Sequence, residues 1–101
     1  MAFRIAYTLD ARLDLKDLPR REEEIVRDGA LRRLTDQPTA LTRNLKQLAP
    51  NSLGARWELR LGTLRVYFDV DAEAQSVRVL RVGKKIRDRV FIRGIETDLR
   101  S

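Results

Sequence analysis

The chain has 101 residues, 43% of them apolar and 36% charged, which is enough hydrophobic sequence to fold and the usual length of one domain. It contains no cysteine and no histidine, which excludes disulfides, thiolate metal sites, cysteine nucleophiles and histidine-based proton transfer. Since no signal-peptide core and no bilayer-length apolar stretch is found, we predict a single cytoplasmic domain over residues 1–101 with no membrane contact.

The positive charge of the chain is unevenly distributed. The formal net charge is +6, and residues 56–93, with 10 basic and 5 acidic side chains, account for +5 of it. Basic charge concentrated in one segment favours an anionic partner such as RNA, although charge also serves solubility.

The first part of the sequence predicts one strand and two helices. Residues 3–7 alternate between apolar and small or polar side chains, which is typical of a strand. Residues 11–18 are compatible with a short helix that ends before Pro19. A second helix is predicted from Pro19 to about Thr35, because three glutamates near its start and two arginines near its end complement the helix dipole.

Beyond the second helix the apolar period changes from about 3.6 to 2. Residues 39–48 are predicted to be a connector with one helical turn, and residues 50–54 a loop. Two strands of alternating pattern follow, joined by a Gly-Thr pair at 62–63 that suits a type II′ hairpin turn. Leu61 and Leu64 flank this turn, so they are predicted to share one sheet face.

A third strand is predicted over residues 77–82, with Leu80 and Val82 facing the core and the alternate valines facing outward. Gly83 is predicted to end this strand, and the basic run at 84–89 is predicted to follow it as a loop. Residues 92–99 are predicted to form at most a frayed helix. The predicted fold is therefore α+β, with an N-terminal strand, two helices, a three-stranded antiparallel meander (β-α-α-β-β-β) and a short C-terminal segment.

Basic side chains from these strands are predicted to meet on the solvent face of the sheet. Guanidinium groups suit bidentate phosphate contact, and a tyrosine among them can stack on a base. The alternative is a solvated face with cross-strand ion pairs worth about 0.2–1 kcal/mol each. No metal-ligand spacing, phosphate-binding glycine loop or nucleophile elbow is present, so no metal or cofactor is predicted. The predicted patch consists of Arg56, Arg60, Arg65, Tyr67, Arg81, Lys84, Lys85 and Arg87.

Two runs in the predicted sheet carry a family pattern. Residues 56–70 read RWELRLGTLRVYFDV, and residues 79–85 read VLRVGKK. Together they resemble the RelE/ParE superfamily of type II toxins, in which a W-x-L-R-x-G-x-x-R-x-x-Y/F hairpin precedes a V-x-x-V-G-x-R/K strand end. Residues 45–48 are also similar to the connector of that family.

The resemblance implies a RelE-like fold and a toxin that a cognate antitoxin neutralises in a toxin–antitoxin hetero-oligomer. RelE-like members are endoribonucleases that cleave mRNA on the ribosome, in the A site, and so repress translation. ParE-like members share the fold and inhibit DNA gyrase without catalysis. The RelE-like mRNA interferase is the favoured interpretation, and a gyrase inhibitor or an RNA-binding relative without toxicity are the alternatives.

The resemblance also implies roles for individual residues. Arg65 matches the hairpin arginine that stabilises the scissile phosphate, and Lys85 falls where the family usually has an arginine. Tyr67 lies within the same patch and completes the predicted catalytic set. The predicted RNA-binding residues are Arg56, Arg60, Arg81, Lys84 and Arg87.

Three positions depart from the RelE pattern. Arg56 and Glu58 stand where RelE has lysines, and Phe91 stands where it has a tyrosine that acts with the base. Arginine is a poor proton acceptor and phenylalanine has no hydroxyl. Tyr67, Lys84 or Glu58 are therefore the candidates for proton transfer.

Overall fold

The computed structural model describes residues 2–99, which form two helices and one sheet of seven strands. Met1, Arg100 and Ser101, which the predicted domain includes, lie outside the described residues. In chain order the elements are β1 (Arg4–Tyr7), α1 (Leu9–Asp17), α2 (Arg20–Leu34), β2 (Leu45–Gln47), β3 (Trp57–Leu61), β4 (Leu64–Asp71), β5 (Ser76–Ile86), β6 (Arg89–Ile92) and β7 (Ile95–Thr97). No helix within 2–99 is long and apolar enough to cross a membrane.

The sheet contains the predicted meander and extends it at both ends. Antiparallel pairing gives the order β2-β3-β4-β5-β6-β7, and β1 pairs in parallel with the first part of β5. The predicted α+β class, with one strand, two helices and the β3–β5 meander, is confirmed. The short strand β2 takes the place of the predicted helical turn in the connector.

The two helices begin and end where the local sequence requires. Thr8 caps α1, because its Oγ1 accepts a hydrogen bond from the Ala11 amide at 3.1 Å. Leu18 is extended, with φ −81° and ψ 150°, as expected for a residue before proline. Pro19 then precedes the first residue of α2, so both predicted helices are confirmed to within about two residues.

The β3–β4 hairpin has the predicted turn and register. Leu61 pairs directly with Leu64 across the two-residue turn, and both pack into the main core. Gly62 has a φ of +63°, and Thr63 is not among the residues with positive φ. This is the φ pattern of a type II′ turn, in which only the first central position needs glycine.

The pairing of β4 with β5 shifts by one residue, so some β5 side chains lie on the side of the sheet opposite to the predicted one. The register changes between Tyr67 and Phe68, which leaves Leu80 as the extra residue of a β-bulge. Val77 and Val79 are fully buried in the main core, so the prediction that they face outward is wrong. Leu80, predicted to face that core, packs against a second cluster on the opposite face.

The C-terminal part of the sheet was not predicted. β5 continues through Gly83 to Ile86, so the predicted strand end is wrong, and β6 and β7 replace the predicted frayed helix. Two tight hairpin turns make this possible. Each has positive φ at both central residues, 51° and 67° at 87–88 and 51° and 74° at 93–94, as type I′ turns require.

Replacing Asp88 with glycine is expected to raise the free energy of unfolding by about 0.5–1 kcal/mol. Asp88 has a φ of 67°, which strains an L-residue, and the equivalent position of the next turn is already Gly94. Urea unfolding of both proteins measures the difference. Unchanged or lower stability in the variant would show that the strain is offset by a contact of the Asp88 side chain.

Each face of the sheet is covered by a different part of the chain. α1 and α2 pack on one face and enclose the main core. On the opposite face, which we call the outer face, residues 48–56 and Leu99 cover a second apolar cluster that includes Tyr67. The Ser52 amide donates to the Leu99 carbonyl at 3.1 Å, which holds these two covering segments together. Part of the face predicted to be open to solvent is therefore enclosed.

Candidate nucleic-acid interface

Strand register brings five polar side chains together on the outer face. Arg60 of β3 pairs directly with Arg65 of β4, and Glu58 pairs with Tyr67 two residues along the same strands. Lys85 lies on β5, two residues from the partner of Arg65. Successive residues of a strand alternate between faces, so all five project to one side. We call these five residues the outer-face cluster.

Arg65 is held in a fixed orientation by the hairpin turn beside it. Its Nη1 donates to the carbonyl oxygens of Gly62 at 2.7 Å and Leu64 at 2.9 Å. Its Nε is buried and meets no hydrogen-bond partner within residues 2–99. The guanidinium is thus anchored through Nη1, while Nη2, which donates to none of the described residues, remains for an added acceptor, the arrangement expected of a preorganised anion contact.

Lys85 supplies a second positive charge to the cluster. Its backbone amide donates to the Thr63 carbonyl at 2.8 Å, which ties β5 to the turn next to Arg65. The side chain is half-buried and forms no ion pair with any residue that the structure describes. Its ammonium group is therefore available to an external anion.

Glu58 is a buried carboxylate within this basic cluster. Its side chain is 6% exposed, and its Oε1 accepts a hydrogen bond from Arg60 Nε at 2.9 Å. The pair offsets part of the repulsion between Arg60 and Arg65, which would otherwise face each other as like charges. Glu58 also lies beside the Tyr67 ring.

Tyr67 is fully buried, so the prediction that it faces solvent is wrong. The covering residues 48–56 and Leu99 exclude it from stacking on a nucleotide base in this conformation. Its hydroxyl is also without a hydrogen-bond partner within residues 2–99. Burial, and next the negative charge of Glu58, raise the pKa of Tyr67 far above its ordinary value.

Tyr67→Phe is expected to raise the free energy of unfolding by about 1 kcal/mol, because it removes a buried unsatisfied hydroxyl. The raised pKa of Tyr67 also means that unfolding releases a proton above about pH 10, so this residue's contribution to stability falls as the pH rises past that value. The variant should lose less stability at high pH. Thermal unfolding at pH 8 and pH 11 tests both effects, and an equal alkaline loss in the two proteins would contradict the second.

Arg81 does not face the solvent as predicted, because its guanidinium forms an ion pair with a buried aspartate. It donates to Asp14 through Nε at 2.8 Å and Nη2 at 3.0 Å, and these hydrogen bonds raise the pKa of Arg81. The fully buried Asp14 side chain also accepts a hydrogen bond from the Val82 amide at 3.0 Å and forms an ion pair with Arg93, whose Nε lies 3.0 Å from Oδ1. Sequence reasoning missed Asp14, although its helical spacing from the apolar Ala11 is the signal of a core-facing position.

The other predicted cations are dispersed around the cluster. Lys84 lies on the opposite face of the sheet, where its Nζ is 2.6 Å from Glu22 of α2. Arg56, just before β3, and Arg87, in the β5–β6 turn, are exposed. The structure therefore brings Arg60, Arg65 and Lys85 together on the outer face, whereas Arg56 and Arg87 lie just beyond the ends of β3 and β5.

Comparison with solved structures decides the family. The chain is 30% identical to a chain of the toxin–antitoxin complex RelBE2 from Mycobacterium tuberculosis, with a TM-score of 0.72 and coverage of 84% of this chain and 93% of that one. This chain belongs to the RelE-like family of type II toxins. The archaeal RelE–RelB complex from Pyrococcus horikoshii shares the fold, at 18% identity, a TM-score of 0.63 and coverage of 86% and 99%. No family model and no curated protein matches the chain.

Phe91, which the resemblance matches to a RelE tyrosine, lies away from the outer-face cluster. It pairs with Lys84, so its ring lies on the helix side of the sheet, in a cavity of about 390 Å³ lined also by Leu18 and Pro19. No cluster of three or more carboxylates within 2–99 is arranged to hold a metal ion.

Proposed function

We propose that this RelE-like toxin is an mRNA interferase, a ribosome-dependent endoribonuclease that cuts mRNA in the A site. The observation that carries the proposal is the Arg65 guanidinium, fixed by two main-chain carbonyls beside the unpaired Lys85. In this reaction a 2′-hydroxyl attacks the adjacent phosphorus, and negative charge increases on the non-bridging oxygens. Cations oriented beforehand stabilise that charge more in the transition state than in the ground state.

The cations divide into three roles. Arg65 and Lys85 contact the scissile phosphate. Three further arginines contact the flanking phosphates and set the register of the RNA strand without reading its sequence. These flanking contacts are Arg56, Arg60 and Arg87. Arg81 and Lys84 pair with Asp14 of α1 and Glu22 of α2, so they tie the sheet to the helices and do not contact RNA bound on the outer face.

A cognate antitoxin is the expected protein partner. Both similar structures are toxin–antitoxin complexes, and the net charge of +6 on this chain suits an acidic binding segment. A ribosomal substrate also requires that the toxin act in the cytoplasm. Rescue of growth by co-expression of a small acidic protein encoded next to the toxin gene would support this partnership.

Induction of the toxin in growing cells tests the proposed function. Growth arrest should coincide with new 5′ ends within the coding regions of translated transcripts, while plasmid supercoiling stays normal. Loss of negative supercoiling with intact transcripts would replace the interferase with a gyrase inhibitor. Normal growth with RNA binding alone would indicate a relative that has lost toxicity.

A further inference from the structure

The short strand β2 adds a lysine to the outer face. Lys46 pairs directly with Glu58 of the outer-face cluster, and residues directly opposite each other in an antiparallel pair share a face. Its neighbour Leu45 pairs with Leu59 and is buried in the main core on the other side. Lys46 is exposed and forms no ion pair with any of residues 2–99. Its ammonium group can therefore meet an external anion.

Strand register places Lys46 at one end of a row of four cations. Lys46 is displaced by two residues from the position directly opposite Arg60, so the two are diagonal neighbours with Cα atoms about 7–8 Å apart. Arg65 pairs directly with Arg60 on the next strand. Lys85 lies two residues beyond the β5 partner of Arg65, which makes the last step a second diagonal. The row thus takes one cation from each of β2, β3, β4 and β5.

Both diagonal steps run in the same direction, so the row follows one line across the sheet. β3 and β5 are each antiparallel to β4 and therefore run parallel to each other. The step from Lys46 to Arg60 and the step from Arg65 to Lys85 both lead towards the C-terminal ends of these strands. With strands about 4.8 Å apart and about 3.3 Å per residue, the row is roughly 20 Å long between its end Cα atoms. A row of this length can follow an extended nucleic-acid backbone over several nucleotides.

The row stays on the open part of the outer face. Lys46 is exposed and the other three cations are half-buried, whereas Tyr67 beside them is enclosed by the covering segments. Glu58 lies within the row and its carboxylate is held by Arg60. Four positive charges against one negative charge leave the row attractive to a polyanion.

We propose that Lys46 binds an RNA phosphate, and that the RNA strand crosses the sheet along this row, from Lys85 to Lys46. The inference rests on the proposed endoribonuclease function and adds a contact and a path to it. Because Lys46 lies two strands away from Arg65, the phosphate at Lys46 is separate from the scissile one. Lys46 therefore contributes to binding and to the register of the RNA, and takes no part at the reacting atoms.

Purified wild-type toxin can be compared with Lys46→Ala, Lys46→Arg and the control Lys16→Ala. Lys16 is exposed in the last turn of α1, so its loss makes the same change in net charge away from the outer face. Binding is measured over a range of salt concentrations on ribosomes programmed with an mRNA whose A-site codon carries 2′-O-methyl groups, which block the attack. Single-turnover cleavage of the unmodified mRNA at saturating toxin and thermal midpoints are measured in parallel.

We expect Lys46→Ala to bind about 3- to 10-fold more weakly, with a slope of log affinity against log salt that is shallower by about 0.7, as for one lost phosphate contact on a single strand. Its cleavage rate at saturation should stay within about twofold of wild type, because the contact is distant from the scissile phosphate. Lys46→Arg and Lys16→Ala should match the wild type in both measurements.

Neutral methylphosphonates, placed one at a time in the blocked mRNA, locate the contact. At one position other than the scissile phosphate, the replacement should weaken wild-type binding as much as Lys46→Ala does, and it should weaken Lys46→Ala no further.

Three results would overturn the role of Lys46. These are unchanged binding and salt dependence in Lys46→Ala, losses that add to those of Lys46→Ala at every methylphosphonate position, and weaker binding that only follows a fall in thermal midpoint. Each of them leaves cleavage by the wild type in place. If the wild-type toxin neither binds the programmed ribosomes nor cuts the mRNA, the proposed function itself fails, and the path fails with it.

Discussion

Arg65→Ala is expected to lower the rate of mRNA cleavage by about 100-fold or more and to abolish growth arrest. The Arg65 guanidinium is anchored to the Gly62 and Leu64 carbonyls, so its removal takes away an oriented cation beside the proposed phosphate position. Lys85→Ala should also remove toxicity, because Lys85 supplies the neighbouring charge. Growth curves after induction and primer extension of a translated transcript measure both effects.

Conservative variants separate charge from geometry at these positions. Arg65→Lys keeps the charge but cannot reproduce the anchored fork, so it should remain severely impaired. Lys85→Arg should remain toxic, since a guanidinium keeps the positive charge and suits phosphate contact. Arg78→Ala removes an equal charge from an exposed position near the start of β5 and should leave toxicity intact. Full toxicity in both alanine variants of the cluster would contradict the assigned site.

The second large effect is expected at Asp14. Asp14→Asn should lower the free energy of unfolding by about 3–5 kcal/mol, because it leaves the half-buried Arg81 without its ion-pair partner. The same change weakens the link to Arg93 in the β6–β7 turn, so α1, β5 and the C-terminal hairpin lose a shared contact. Urea unfolding, followed by far-ultraviolet circular dichroism, measures the loss.

Asp10→Asn provides the matched control for this prediction. Asp10 is exposed and lies 3.9 Å from Arg93, so its loss should cost less than about 0.5 kcal/mol. Adding Arg81→Met to Asp14→Asn should recover part of the stability, because the uncompensated buried charge is then removed. If Asp14→Asn and Asp10→Asn lower the free energy of unfolding by similar amounts, the Asp14 network stabilises the fold no more than an exposed ion pair does.

The parts of the fold that were predicted correctly depend on local chemistry. Helix ends at Thr8 and Pro19 follow from capping and from the restriction that proline imposes on its neighbour. The β3–β4 register follows from one glycine and from two leucines that must share a face. These features need only neighbouring residues, so the sequence contains all the information they require.

The errors arise where distant parts of the chain meet. The bulge at Leu80 changes which β5 side chains face the helices, and alternation alone gives no sign of an inserted residue. Arg87 and Asp88 form a type I′ turn without the usual Asn-Gly signal, so two strands were missed. Alternation places Tyr67 on the outer face but cannot show its burial, because its covering segments, including Leu99, lie far from it in sequence.

In the proposed function the outer face cuts RNA by 2′-hydroxyl attack with Arg65 at the phosphate. The most direct measurement is end-group analysis of an mRNA incubated with purified toxin on ribosomes whose A site holds a defined codon. We predict a cut within that codon that leaves a 2′,3′-cyclic phosphate and a 5′-hydroxyl, and no cut with Arg65→Ala. An intact mRNA, or fragments with 5′-phosphate ends, would contradict the claim.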